Sequence, residues 1–262
     1  MQSNTQDQNF DAFADKFEKN IYGSTKGQLR HELLLHHLQE YTLEQGKPLD
    51  ILDAGGGTGV MTKALLELGH NVTLTDISGE VLELARQKLG KDSHLEILHR
   101  DILSLSTDKQ YDLVLCHAVL EWIQDPIEVI KKLLASVKPG GHLSLSFFNY
   151  DAQLFGNMLY GNFDYVEQGM ATKKNIVRLS PNNPQKPKVI LSELDALPVN
   201  IIKRVGIRCF HDYLKQPEKQ LSDYQQLKQL EIKYGSTEPY LWLGKYFLIV
   251  AQKKQTIELF SE

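Results

Sequence analysis

The residues with the clearest chemical potential are the eight from position 52 to 59, Leu-Asp-Ala-Gly-Gly-Gly-Thr-Gly. A short apolar run ends at Asp53 and a helically spaced apolar run begins behind Gly59, so the loop joins a strand to a helix. Glycines there let the backbone turn sharply and approach a ligand that any Cβ would push away. The dinucleotide fingerprint asks for a further glycine at position 60, where this chain has Val60. That departure counts against a nicotinamide dinucleotide, whose pyrophosphate wants a helix N-terminus for its charge. It suits a cofactor without phosphate, such as S-adenosylmethionine, which mainly needs room for its amino-acid tail and ribose.

Three further polar groups stand at strand ends. Asp76 closes a second strand, 23 positions beyond Asp53, where a carboxylate can accept both ribose hydroxyls. Asp101 lies just past a third strand, within reach of an adenine amino group if the sheet is doubly wound. His117 ends a fourth strand and opens His117-Ala118-Val119-Leu120-Glu121-Trp122. Each has a plainer reading: turn chemistry for the glycines, a helix cap for an aspartate, a backbone hydrogen bond for His117, core packing for Trp122. Their joint placement is the stronger signal, because open α/β sheets bind ligands at the carboxyl ends of their strands.

The elements that must position these groups are legible as alternating β-rich runs and helical periodicity between residues 49 and 148, the pattern of βαβ units in a parallel sheet. Strands are predicted over residues 49–53, 71–76, 95–99, 112–117 and 142–148. Helices are predicted over 58–68, from the N-cap Ser78 onward, and over 127–137, the last closed by Pro139-Gly140-Gly141. Residues 151–198 contain four prolines and no βα repeat, and read as an insertion capping the sheet. A strand-like stretch over 199–210, a helix over 221–234 and a strand over 246–252 then complete the core. Four parts follow: a helical segment over 1–45, broken at Tyr22-Gly23-Ser24, that folds over the cofactor; a cofactor-binding core over 46–150; the insertion over 151–198; and the rest of the sheet over 199–262.

The chain has 262 residues, 42% hydrophobic and 24% charged, enough to bury a sizeable core. Polar N-terminal residues and the absence of a long apolar run predict neither a signal peptide nor a membrane span, and hence a cytoplasmic protein. Cys116 and Cys209 have no metal-type spacing, so no zinc site or disulfide is expected. Net charge is −4, yet residues 171–219 carry ten basic side chains against four acidic ones, leaving a net −10 for the remainder. A basic segment on an acidic body can orient an anionic partner, although a solvated face would have the same composition.

Several blocks resemble the bacterial tRNA 5-carboxymethoxyuridine methyltransferase family: Asn9-Phe10-Asp11 through Asn20-Ile21-Tyr22-Gly23, Lys26-Gly27-Gln28-Leu29-Arg30, the glycine loop, His117 to Trp122, and Gly161-Asn162-Phe163-Asp164-Tyr165-Val166. Gly206-Ile207-Arg208, Phe210-His211-Asp212-Tyr213-Leu214, Glu238-Pro239-Tyr240 and Leu243-Gly244 extend the likeness to nearly the whole chain. The resemblance implies an α/β fold, the Rossmann-like seven-stranded sheet of class I methyltransferases with N-terminal helices and a capping insertion after strand five. It implies methyl transfer from S-adenosyl-L-methionine to the carboxylate of a wobble 5-carboxymethoxyuridine, with the tRNA anticodon stem-loop as partner and no metal. By carry-over, Arg30 would hold the methionine carboxylate, Gly55 and Gly56 the loop, Asp76 the ribose, Asp101 and Ile102 the adenine, and His117 the methionine-side wall. The family's pattern differs around residues 100–103.

An ionised carboxylate needs no general base, so no acid–base residue is expected. Arg208, Tyr22 and Tyr165 are candidates to hold that carboxylate. Lys173, Lys174, Arg178, Lys186, Lys188 and Arg204 are candidates for RNA phosphates, and Tyr160, Phe163 and Tyr165 for stacking on splayed bases. The rival readings are a methyltransferase for a small carboxylic acid or quinone-type metabolite, a nicotinamide-dependent oxidoreductase, which also lacks a plausible hydride site, and a non-catalytic cofactor-binding protein.

Overall fold

A computed structural model of the chain describes residues 24–43, 46–170, 181 and 183–255. Seven strands form one mixed sheet: β1 (Asp50–Ala54), β2 (Asn71–Asp76), β3 (Leu95–His99), β4 (Tyr111–His117), β5 (Val137–Phe148), β6 (Val199–Ile207) and β7 (Tyr246–Lys253), in the order β3-β2-β1-β4-β5-β7-β6. The contacts from β3 to β5 are parallel, whereas β7 runs antiparallel to both of its neighbours. Helices α1 (Thr25–Thr42), α2 (Val60–Glu67), α3 (Gly79–Leu89) and α4 (Pro126–Ala135) flank the parallel half. Helices α5 (Tyr150–Leu159), α6 (Phe163–Glu167) and α7 (Pro187–Asp195) follow β5, and α8 (Lys219–Ser222) and α9 (Tyr224–Gly235) lie between β6 and β7. Among the described residues, no helix is long and apolar enough to cross a membrane.

Local chemistry accounts for several helix starts. Ser24 accepts from the Gly27 amide, Ser78 from the Val81 amide, and Asp125 from the Glu128 amide ahead of Pro126, each satisfying a donor that the first turn leaves open. The strands bury nearly continuous apolar runs because both faces are covered. On one face Val114, Cys116, Leu145, Phe147 and Ile249 meet α4 and α7; on the other Ile51, Leu113, Leu115, Val205 and Leu248 meet α1, with Leu29, Leu33 and Leu38. The insertion expected over 151–198 carries helices α5, α6 and α7, and turns, in its described residues.

The predicted boundaries move most consequentially at two places. Helix α4 stops at Ala135, and Val137 already pairs with Tyr111, so Pro139-Gly140-Gly141 lies inside β5 instead of closing the helix. Gly140 takes a positive φ there, and the register between β4 and β5 shifts between Tyr111 and Leu113. The strand-like stretch over 199–210 ends at Ile207, because Arg208 turns to φ 63°. Periodicity could not anticipate either stop, since each is set by a partner strand or a single backbone angle.

The carboxyl end of β6 meets the chain entering β7 at a backbone crossing that leaves no room for side chains. A Cβ on Gly206 would lie 2.4 Å from the Leu241 carbonyl oxygen, and one on Gly244 would lie 2.4 Å from the Gly206 Cα. Asn149, fully buried at the end of β5, donates from Nδ2 to the carbonyls of Trp242 and Gly244, both at 2.9 Å. Gly244→Ala is expected to cost about 1–3 kcal/mol or more, because rigid backbone cannot yield as a side chain would. A urea denaturation midpoint equal to the parent's would contradict this.

Candidate functional site

Strand order reverses between β1 and β4, and at such a switch point open α/β sheets carry their ligand crevice, at the carboxyl edge of the sheet. The glycine loop leaves β1 into it. Gly55 holds φ 70°, and a Cβ on it would sit 2.5 Å from the Val119 side chain, so only glycine passes between β1 and the segment after β4. The Gly55 and Gly56 amides donate to the Thr75 carbonyl at 2.7 and 3.1 Å, clamping the loop to β2. Asp76 is aimed in the same way: its carboxylate accepts the Gly57 amide at 3.0 Å and the Ser78 amide at 2.9 Å. Beneath them Asp53 is buried, accepts the Thr62 hydroxyl at 2.7 Å, and is raised to about 6 by burial and by the charge of Asp76.

The adenine-side residues divide. Asp101 is exposed and accepts the Leu103 amide at 2.8 Å, starting a 3-10 turn over Ile102–Ser104. Ile102 points its side chain into the core, which leaves the Asp101 carboxylate and the main chain of the turn at the edge.

His117, at the end of β4, is held by Nε2 to the Ser144 hydroxyl at 2.9 Å, while its buried Nδ1 has no partner. Burial, with Arg30 and His31 nearby, lowers its pKa to about 3, so the imidazole is neutral at physiological pH. Arg30 comes from α1, is almost wholly buried, and lies 4.9 Å over the Tyr246 ring. Its charge also reaches Glu121, which is fully buried with both carboxylate oxygens unpartnered and is pushed up to about 7 by burial. The sequence contained a signal for Glu121, an acid inside the otherwise apolar Val119-Leu120-Glu121-Trp122, but periodicity alone assigns it no place.

The structure engages Arg208 elsewhere than expected. Its Nε and Nη2 donate to the two carboxylate oxygens of Asp212 at 2.8 and 2.7 Å, and its Nη1 donates to the Lys26 carbonyl at 3.2 Å. Burial works against charge on Asp212, but Arg208 and His211 hold its carboxyl well below the usual range. Arg208 is therefore a tie between α1 and the turn after β6. Glu231 anchors the same turn, accepting the amides of Cys209, Phe210 and His211.

The remaining candidates spread over the insertion face. Tyr165 is half-buried on α6, while Tyr160 and Phe163 are 75% and 56% exposed. Lys186 and Lys188 are exposed at the start of α7, over the rings of Tyr150 and Trp242. Arg204 is exposed on the edge strand β6, two residues before the Gly206 crossing. Tyr22, Lys173, Lys174 and Arg178 lie outside the described residues.

Comparison with known proteins bears on this geometry. Residues 52–145 match a family model described as a methyltransferase domain. The tRNA 5-carboxymethoxyuridine methyltransferase of Escherichia coli (strain K12) is 41% identical over 258 residues, covering 96% of this chain and 98% of that protein. A malonyl-acyl-carrier-protein O-methyltransferase of Acetivibrio thermocellus is 36% identical over 110 residues, 41% of this chain and 38% of its own length. Among solved structures, magnesium protoporphyrin IX methyltransferase of Synechocystis PCC 6803 with bound S-adenosylhomocysteine has a TM-score of 0.62 at 16% identity, covering 94% of this chain and 96% of the other. The N-methyltransferase NodS of Bradyrhizobium japonicum WM9, also with S-adenosylhomocysteine, has a TM-score of 0.55 at 17% identity, with 88% of both chains covered. These structural likenesses establish the Rossmann-like methyltransferase fold.

Glu121 sets a pH dependence. Its folded value of about 7 lies above its ordinary 4.5, so its neutral form favours the fold; that contribution is complete at acid pH and is lost as pH rises through 7. Glu121→Gln is expected to match the parent below about pH 4 and exceed it above pH 8 by about 3 kcal/mol. Thermal melts with the same offset at both pH values would contradict it.

Proposed function

Because this chain belongs to the tRNA 5-carboxymethoxyuridine methyltransferase family, we propose that it esterifies the carboxylate of 5-carboxymethoxyuridine at the wobble position of a tRNA anticodon. It is an S-adenosylmethionine-dependent methyltransferase. The observation that carries the proposed acceptor is 41% identity along 96% of the chain, which spans both the cofactor side and the insertion.

The crevice suits an adenosyl sulfonium. A Cβ on Gly55 would fill the bare turn, Asp76 is fixed at its mouth by two amides, and His117 turns an unpartnered Nδ1 inward among buried groups. We assign Asp76 to the ribose hydroxyls, Asp101 and the backbone at Ile102 to the adenine, Gly55 and Gly56 to the loop, His117 to the methionine-side wall and Arg30 to the methionine carboxylate. A guanidinium clamps such a carboxylate well. A neutral His117 adds no positive charge beside a sulfonium.

When bound, S-adenosylmethionine supplies a methyl group whose bond to sulfur breaks, with its electron pair, as a carboxylate oxygen bonds to the carbon. The acceptor has a pKa near ~4 and is already ionised, so no side chain has to take a proton. What the protein contributes is alignment, worth on the order of 7–11 kcal/mol, and exclusion of water by α1 and the insertion.

Lys186, Lys188 and Arg204 would meet tRNA phosphates, while Tyr160 and Phe163 offer exposed rings for splayed bases.

The decisive experiment incubates the protein with labelled S-adenosylmethionine and tRNA carrying 5-carboxymethoxyuridine, followed by nucleoside analysis; label confined to other nucleosides, or none, would end this reading. Asp76→Ala is expected to weaken S-adenosylmethionine binding by calorimetry about 10- to 100-fold, the loss of hydrogen bonds to a charged group. Replacing Lys186, Lys188 and Arg204 together by alanine should weaken tRNA binding and flatten its salt slope by roughly 0.7–0.9 per lost contact. An unchanged slope would remove these residues from the interface.

A further inference from the structure

We propose that Lys245 is the side chain that grips the acceptor carboxylate, a role that rests on the methyl-ester reading above. Three cationic side chains converge where β5 ends, β6 ends and β7 begins: Arg30 from α1, Arg208 from the turn after β6, and Lys245 immediately before β7. Arg30 and Arg208 lie on the ring of Tyr246, at 4.9 and 5.7 Å from its centroid. Arg208 is committed to Asp212 and to the Lys26 carbonyl. The Lys245 ammonium forms no hydrogen bond or ion pair among the described residues; it rests 5.3 Å from the centroid of the Phe148 ring.

The fold places this ammonium firmly. The Lys245 amide donates to the Arg208 carbonyl at 3.2 Å, and its carbonyl accepts the Asn149 amide at 3.1 Å, so its backbone is stitched to both neighbouring strand ends. Gly156 of α5 leaves space beside it, since a Cβ there would approach Nζ to 3.8 Å. Phe148, under the ammonium, meets Tyr246 edge-on, and Tyr213, beside Gly156, meets Phe155 in the same way; such rings are a setting for a planar base. The charged groups facing Lys245 are Asp212 and Arg208 from the turn and Lys26 from α1; burial lowers its pKa, opposed by Asp212 and reinforced by Arg208 and Lys26. A desolvated cation without its own carboxylate is matched by an incoming anion.

The chemistry also favours lysine over arginine. A guanidinium engages both oxygens of a carboxylate in a fork, whereas an ammonium is a point charge that can hold one oxygen and leave the other to attack.

Wild-type enzyme is first assayed on tRNA bearing 5-carboxymethoxyuridine; no turnover there would overturn the methyl-ester reading itself, whatever Lys245 does. Given turnover, Lys245→Met should lower kcat/KM at least about 30-fold, the cost of stripping one partner from a buried charge pair. Its calorimetric affinity for S-adenosylmethionine and its affinity for the same tRNA with an unmodified wobble uridine should match the parent's. Tighter binding of modified over unmodified tRNA should disappear. In the parent, kcat/KM should fall as alkaline pH discharges the lysine, and Lys245→Arg should retain measurable turnover without that fall. Parental kcat/KM in Lys245→Met, a parallel loss of S-adenosylmethionine affinity, or the same alkaline fall in Lys245→Arg would each overturn the assignment.

Discussion

The structure depends on one reversal of chain direction. Strand β7 is inserted antiparallel between β5 and β6, with seven registered pairs to β5 from His142–Gln252 to Phe148–Tyr246. Because it runs against its neighbours, the residues at its beginning stand at the same edge as the ends of β5 and β6. A parallel β7 would carry Lys245 and Tyr246 to the opposite edge and leave the crevice without its cationic flank. The crossing at Gly206 and Gly244 is the local condition for this arrangement, since the two backbones approach more closely than any side chain allows. Asn149 seals it with two hydrogen bonds to the turn entering β7.

Charge along that edge is divided to suit a reaction between a cation and an anion. On the β1–β2 side stand Asp76 and Asp53, close enough that the charge of one raises the pKa of the other. At β4 stands a histidine kept neutral by burial and by Arg30. On the β5–β7 side stand Arg30, Arg208 and Lys245, of which Arg208 is neutralised in place by Asp212. In the proposed reading the carboxylate of Asp76 faces the cofactor's ribose, an uncharged ring lies on its methionine side, and positive charge stands where a carboxylate acceptor would enter. In a water-poor crevice such a division matters more than it would in bulk solvent, where the same charges interact weakly.

The turn after β6 shows how a buried polar network can serve position instead of chemistry. Arg208 takes a left-handed backbone angle that is unusual for a side chain of its size. Glu231 holds three successive amides of that turn, and Asp212 fills the guanidinium fork. The Lys26 carbonyl then carries the tie across to α1. The N-terminal end of α1, and with it Arg30, is thereby fixed relative to β6 and β7.

By itself the sequence determined the parallel βαβ half of the sheet, the glycine turn and the polar strand ends, because periodicity, turn chemistry and capping act over a few residues. Ser78 reads as an N-cap and is one; Asp76 reads as a strand end and is one. Its likeness to a family carried the cofactor and the acceptor. Only the tertiary structure decided which cations are committed and which are not, since Arg208 and Lys245 look alike as isolated letters. It also decided that Glu121 is sealed without a partner, and that Pro139-Gly140-Gly141 belongs to a strand. The physical reason is that burial, pairing and desolvation depend on groups brought together from distant parts of the chain, and no local pattern records them.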